Sequence, residues 1–248
     1  MVRLVKSEVL QRLIRKDDWS ELGTSTVHKI KEAIDAGRLD EAKQLTEYLW
    51  TETKGLHDLY ADWCWAWYDY VADKLGEEQL GDASRATHTV WLRPFFDLYQ
   101  LLPRDEFVQV LVEAFHAHRC GKDQWGDIVV REEADRYVME FDPCGAGGRM
   151  RRGDPLAGTG PRTEPPFNFG VCKKAYPWTW NKVGVARYCI HCAMNTILTI
   201  EWGGYPIWVT EYPDDPNDPC KYIIYKDPKD TPEKYFTEVG KTKPESVK

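Results

Sequence analysis

The stretch "DIVVREEADRYVMEFDPC", residues 127–144, marks a change in the character of the chain. Two runs of β-branched, aromatic and apolar residues flank the polar "EEAD", a pattern that predicts a β-hairpin. Everything before it carries helical spacing. Everything after it is rich in strand and turn signals. Helices followed by strands predict an α+β fold with segregated elements. The expected architecture is an N-terminal helical bundle, residues 1–122, packed on a C-terminal antiparallel β-sheet. That cysteine-rich sheet region covers residues 123–228, includes a long Gly/Pro-rich loop, and leaves a polar tail at 229–248.

Upstream of the hairpin, "MVRLVKSEVLQRLIRKDDWSEL" at residues 1–22 reads as an amphipathic helix and not as a signal peptide. Thr24 to Thr26 offer N-cap hydroxyls for a short helix, and Gly37 separates it from a longer one over residues 39–75. On that helix Asp58, Asp62, Asp69 and Asp73 form one polar stripe, expected to be solvated, beside an aromatic face. A further helix contains Pro94, and another begins after Pro103 with an acidic first turn. Downstream, "TILTIEWGGYPIWVTEY", residues 196–212, reads as a second hairpin around Gly203 and Gly204. "CKYIIYKD", from Cys220, reads as one more strand. The loop at 145–187 is long enough to be functional or anchored.

The chain has 248 residues, 42% hydrophobic and 29% charged, with eleven tryptophans and thirteen tyrosines. So much aromatic surface must be buried or must line a pocket. A net charge of −7 is a poor match to nucleic acid, whose binding relies on neutralising phosphates. No apolar run approaches membrane-spanning length, about 20 residues. The seven cysteines, without a secretion signal, argue for a cytoplasmic protein and against a disulfide framework.

Five of those cysteines follow residue 143, and such clusters point to metal or catalysis. "YCIHC" places Cys189 and Cys192 three residues apart, so one tight turn can offer both sulfurs to a tetrahedral ion. Cys144 and Cys220 each follow Asp-Pro at a strand boundary, and such ends can meet on one sheet edge. A zinc ion held by Cys189, Cys192 and Cys144 is therefore expected, with Cys220, His191 and Cys172 competing for the fourth position. The opposing reading is a set of inert buried cysteines, since free cysteine is among the most buried residue types.

In "CGAGGRMRRGD", residues 144–154, the glycines let backbone N–H groups approach a thiolate or an anion. Arg149 and Arg151 are candidates to clamp an acidic group on a substrate. The spacing is not a dinucleotide fingerprint, and G-x-S-x-G, H-E-x-x-H and P-loop motifs are absent from the sequence. His57 and His88 sit amid aromatic residues on separate predicted helices and are candidates for a general base. His191 is a candidate ligand or proton shuttle. Trp178 and Trp180, just before the C-x-x-C, are candidate walls for an aromatic ligand.

Together these features predict a zinc-dependent hydrolase or lyase acting on a small, partly aromatic, anionic organic molecule, with no nucleic-acid or membrane partner. Two alternatives stand beside it. One is a ligand-binding or interaction protein with a purely structural, Cys-ligated zinc. The other is a metal-free enzyme using a thiol or a His/carboxylate general base.

Overall fold

The hairpin at the turning point forms: β3 is Val129–Glu132, β4 is Arg136–Phe141, and they pair antiparallel. In the computed structural model, which describes residues 2–247, this pair extends into a four-stranded antiparallel sheet. Its order is β3-β4-β6-β5, with β5 at Val209–Glu211 and β6 at Cys220–Tyr225. The β4–β6 register sets Cys220 opposite Phe141, three residues before Cys144. The end of one strand and the start of its neighbour thus deliver two cysteines to one edge.

The helices upstream are α1 (Thr26–Asp35), α2 (Leu39–Leu75), α3 (Leu80–Tyr99) and α4 (Arg104–His116). Ser25 caps α1 by accepting a hydrogen bond from the His28 amide, and Gly37, at φ 71°, separates α1 from α2. The class is α+β, with a long helical region and a C-terminal antiparallel sheet.

The chain divides into two compact units at residue 60. Residues 1–60 hold β1 (Leu4–Ser7), β2 (Arg12–Arg15), α1 and the first part of α2. The expected N-terminal helix is therefore a two-stranded antiparallel hairpin. Its register pairs Leu4 with Arg15 and Ser7 with Arg12, and the turn closes through Gln11 at φ 51°. The amide of Arg15 donates to the Tyr48 hydroxyl, and its guanidinium pairs with Asp17. A basic and apolar run of this length satisfies either periodicity, and these tertiary partners select the strand.

Residues 61–248 form the second unit, in which α3 and α4 share one core with the sheet. Its central element is α6, Ile190–Gly203, whose residues 193–200 are all buried. The expected hairpin at 196–212 is wrong in its first arm. The run of Thr, Ile and Leu has high strand propensity. A helix buried on all sides, however, is apolar all round and loses the 3.6-residue signature. Gly204, at φ 79°, is the left-handed cap that ends this helix and not a hairpin turn. Each fully buried Ile or Leu here contributes about 1.5–3 kcal/mol, enough to override local preference.

The acidic stripe does not simply face water. Arg162 pairs with Asp62 at 2.9 Å, and Arg187 with Asp69 at 3.1 Å and Asp73 at 3.2 Å. The indole N–H of Trp65 donates to the Gly170 carbonyl, and the Gly170 amide donates to Asp69. These bonds pin the long loop onto α2. The expected polar tail also folds: α7 (Lys234–Thr237) carries Tyr235 and Phe236, which are buried together with Val239.

Candidate functional site

The turn after β4 builds the first wall. "CGAGG" leads into α5, Gly147–Arg152. Gly145 lies directly on the His118 carbonyl, where a Cβ would fall 1.4 Å from the oxygen. A Cβ on Gly147 would sit 2.5 Å from Cys189 Sγ. The turn therefore packs its bare backbone against the sulfur of the C-x-x-C segment. The Gly148 amide donates to Cys144 Sγ at 2.9 Å, the approach that the glycines of this turn permit.

The second wall is the start of α6. Cys189 occupies its N-cap position and Cys192 its first turn. His191 Nδ1 lies 2.6 Å from the Tyr188 carbonyl, so it carries the proton and donates it. That fixes Nε2 as the acceptor, 3.3 Å from Cys192 Sγ. On its other side Cys192 Sγ lies 3.2 Å from the Tyr222 hydroxyl. Tyr222 follows Cys220 by two positions on β6, hence on the same face of the sheet.

These residues border one cavity of about 470 Å³ within residues 61–248. Cys144, Cys189, Cys192 and Cys220 all line it, as does His191. Its remaining walls include nine Phe, Trp and Tyr side chains, among them Trp91, Phe95, Phe115, Phe141 and Trp208. Tyr222 meets Phe115 and Phe141 edge-on, and those two rings lie tilted on each other, which fixes the floor beneath Cys192.

Burial sets the resting charge. It pushes the Cys192 thiol up to about 11, although the Tyr222 hydroxyl opposes the shift. Burial also raises Cys144 against the pull of the Gly148 and Ala146 amides, and it lifts Cys189 and Cys220 well above the ordinary thiol range. It lowers His191, and it takes His88 down to about 4, with the neighbouring His191 adding to the fall. The four thiols and both imidazoles are thus neutral near pH 7. The charged groups on the lining are Arg151, Arg152 and Asp218. Arg152 is committed to Asp142 and to the Asn217 and Asp218 carbonyls. Arg151 lies over the Tyr212 ring at 4.3 Å and donates from one nitrogen to the Pro213 and Asp214 carbonyls. It is the cation best placed to meet an acidic group.

The other expected residues are distributed differently. His88 reaches the site indirectly, stacked on His191 at 6.1 Å and tied through Nδ1 to the Ser84 carbonyl. His57 belongs to the N-terminal unit, its ring beside the Asp58 carboxylate. Arg149 is a buried anchor that pairs with Asp154 and donates to the Gly145 carbonyl, and it is not among the cavity-lining residues. Trp178 stacks on Tyr176 and Trp180 on Tyr212; both are buried away from the lining. Cys172 is buried outside the lining as well. All seven cysteines are free thiols. Among the described residues no three His, Cys, Asp or Glu side chains form a ready-made ligand group. The described residues also include no helix long and apolar enough to cross a membrane.

Two contributors were not singled out in the sequence. Tyr222 could have been found from its i, i+2 relation to Cys220. Asn195, on the lining one turn after His191, carries no comparable signal. No known protein family, no curated protein and no solved structure matches the chain.

Proposed function

We propose that the cavity is the active site of a metal-free, thiol-dependent enzyme, a hydrolase for a small, partly aromatic, anionic organic molecule. The observation that carries this reading is the arrangement at Cys192. Its sulfur lies between an imidazole nitrogen fixed as an acceptor and a phenolic hydroxyl. A nucleophile, its base and a group that orients the base make up the general design of covalent catalysis.

In this mechanism His191 Nε2 takes the Cys192 proton as the sulfur attacks the carbonyl carbon of an ester or amide bond in the substrate. The Tyr222 hydroxyl donates to the sulfur and stabilises negative charge there. The imidazolium returns its proton to the leaving group. Water, deprotonated by the same nitrogen, then cleaves the thioester and restores the thiol. The aromatic walls hold the apolar body of the substrate, and Arg151 orients its acidic group. Seven unpaired cysteines suit the cytoplasm, where thiols are kept reduced.

The test is alkylation of the native protein by iodoacetamide at neutral pH, read by peptide mapping. Cys192 should be the first cavity thiol modified, and His191→Ala should slow it by about a hundredfold, the low end of general-base contributions. Labelling of Cys192 no faster than Cys189, or insensitivity to His191→Ala, would remove the reading.

A second reading keeps zinc at Cys144, Cys189, Cys192 and Cys220, serving hydrolysis or lyase chemistry or structure alone. Its support is that all four sulfurs line one cavity. The donor type fits zinc, while the arrangement falls short of a closed ligand set. Elemental analysis of the purified protein decides it: one ion per chain, with thiols shielded until chelation, is the expected signature.

A further inference from the structure

One polar side chain on the cavity has no work assigned to it. Asn195 lies on α6, the helix that carries His191 and Cys192. It follows Cys192 by three positions and His191 by four. Those two spacings set helix neighbours on one face, with Cβ atoms about 5–6 Å apart. All three residues border the same cavity. Asn195 is 5% exposed, yet its Oδ1 is sealed without a hydrogen-bond partner. Its Nδ2 has no partner among the described residues either, but it is not sealed. The amide thus closes off its acceptor and leaves its donor on the cavity side.

A buried amide that forgoes its hydrogen bonds is costly, and such a group calls for an explanation. Orienting the imidazole does not supply one. His191 Nδ1 already donates to the Tyr188 carbonyl, and Nε2 faces Cys192 Sγ. The other unpartnered groups of the lining do not compete, because Trp208 Nε1 and Thr210 Oγ1 are both sealed.

We propose that Asn195 is a catalytic residue, the donor that receives the oxyanion formed when Cys192 attacks a carbonyl carbon. The inference rests on the thiol-hydrolase reading of the same cavity and adds the group that meets the developing charge. As the sulfur–carbon bond forms, the carbonyl π pair moves onto oxygen, and Asn195 Nδ2–H donates to that oxygen. No proton is transferred in this contact. When the pair returns, the bond to the leaving group breaks, and the leaving group takes its proton from His191. Water then attacks the thioester through a second oxyanion at the same donor. A fixed neutral donor contributes most where charge develops, so it stabilises the transition state more than the bound ester or amide.

The experiment compares two reactions of one sulfur in the full-length protein. Displacement of iodide from iodoacetamide passes through no oxyanion, whereas acylation by 4-nitrophenyl acetate does. Both are read at Cys192 by peptide mapping. Asn195→Ala should slow acylation by about a hundredfold or more, the range for loss of one oxyanion donor, and leave alkylation unchanged. Asn195→Asp keeps the shape of the side chain, removes the donor and should show the same split, so an alanine variant that does not fold leaves the test intact. Equal slowing of both reactions, or unchanged acylation, would overturn the proposal. If alkylation still depends on His191 in those cases, the catalytic reading of Cys192 survives. Failure of the ester to acylate Cys192 in the wild-type chain would remove both.

Discussion

His191 Nε2 lies 3.3 Å from the sulfur of its own sequence neighbour, Cys192. Adjacent residues on a helix point about 100° apart. The contact exists because Nδ1 is tied to the Tyr188 carbonyl, which turns the ring back toward the first helical turn. Tyr222 completes the arrangement from the sheet.

Removing that phenol tests its part. Tyr222→Phe keeps the ring packing and deletes the donor to sulfur. Alkylation of Cys192 by iodoacetamide should slow by about tenfold, the equivalent of a hydrogen bond to a charged group. An unchanged rate would leave Tyr222 as floor and nothing more.

Asp154 tests how the "CGAGG" turn is held. Its carboxylate pairs with Arg149 and accepts from Gln124 and from the amides of Leu156 and Ala157. Asp154→Ala leaves a buried guanidinium without this partner, at a cost of about 3–5 kcal/mol. Urea unfolding should show the loss, and iodoacetamide should reach Cys144 faster in the variant.

Two glycines make a matched pair for stability measurement. Gly145→Ala sets a methyl on the His118 carbonyl and should destabilise by about 1–3 kcal/mol or more. Gly55, inside α2, has no atom within 4 Å of an added methyl. Gly55→Ala should stabilise by about 0.5–1 kcal/mol. Urea midpoints moving in opposite directions are the expected outcome.

Glu238 gives the protein a pH-dependent weakness. Burial lifts its carboxyl to about 7, with the Glu211 charge adding to the rise and Lys234 and Lys182 opposing it. The native state therefore holds this proton where the unfolded chain, near 4.5, has released it. The group's contribution is fully present below the unfolded value and is lost as pH rises through about 7. Glu238→Gln should flatten that slope in urea midpoints measured across the window.

The legible parts of the fold are those whose side chains keep one periodicity. The α2 helix, Leu39–Leu75, and the strands β3, β4 and β6 follow their spacing. That Cys144 and Cys220 border the same cavity could be anticipated because each sits at a strand end after Asp-Pro, and antiparallel pairing brings such ends to one side of the sheet. The α6 helix escaped because burial on every side erases the polar face that marks a helix. The ion pairs of Arg187 with Asp69 and Asp73 join residues more than a hundred positions apart, a relation that spacing along the chain does not reveal. The spacing of Tyr222 from Cys220 could have put it on the cavity face of β6, but not against Cys192, thirty positions away.

One pairing of neighbouring strands sets which side chains meet at Cys192. Tyr222 faces Cys192 because β6 meets β4 with Cys220 opposite Phe141. Side chains alternate faces along a strand, so a slip of a single position would turn Tyr222 toward the opposite layer. It would shift Cys220 away from the edge in the same movement. Such a misaligned chain would keep its helical and strand content, and circular dichroism would pass it as sound. A thiol reagent aimed at Cys192 would tell the two alignments apart.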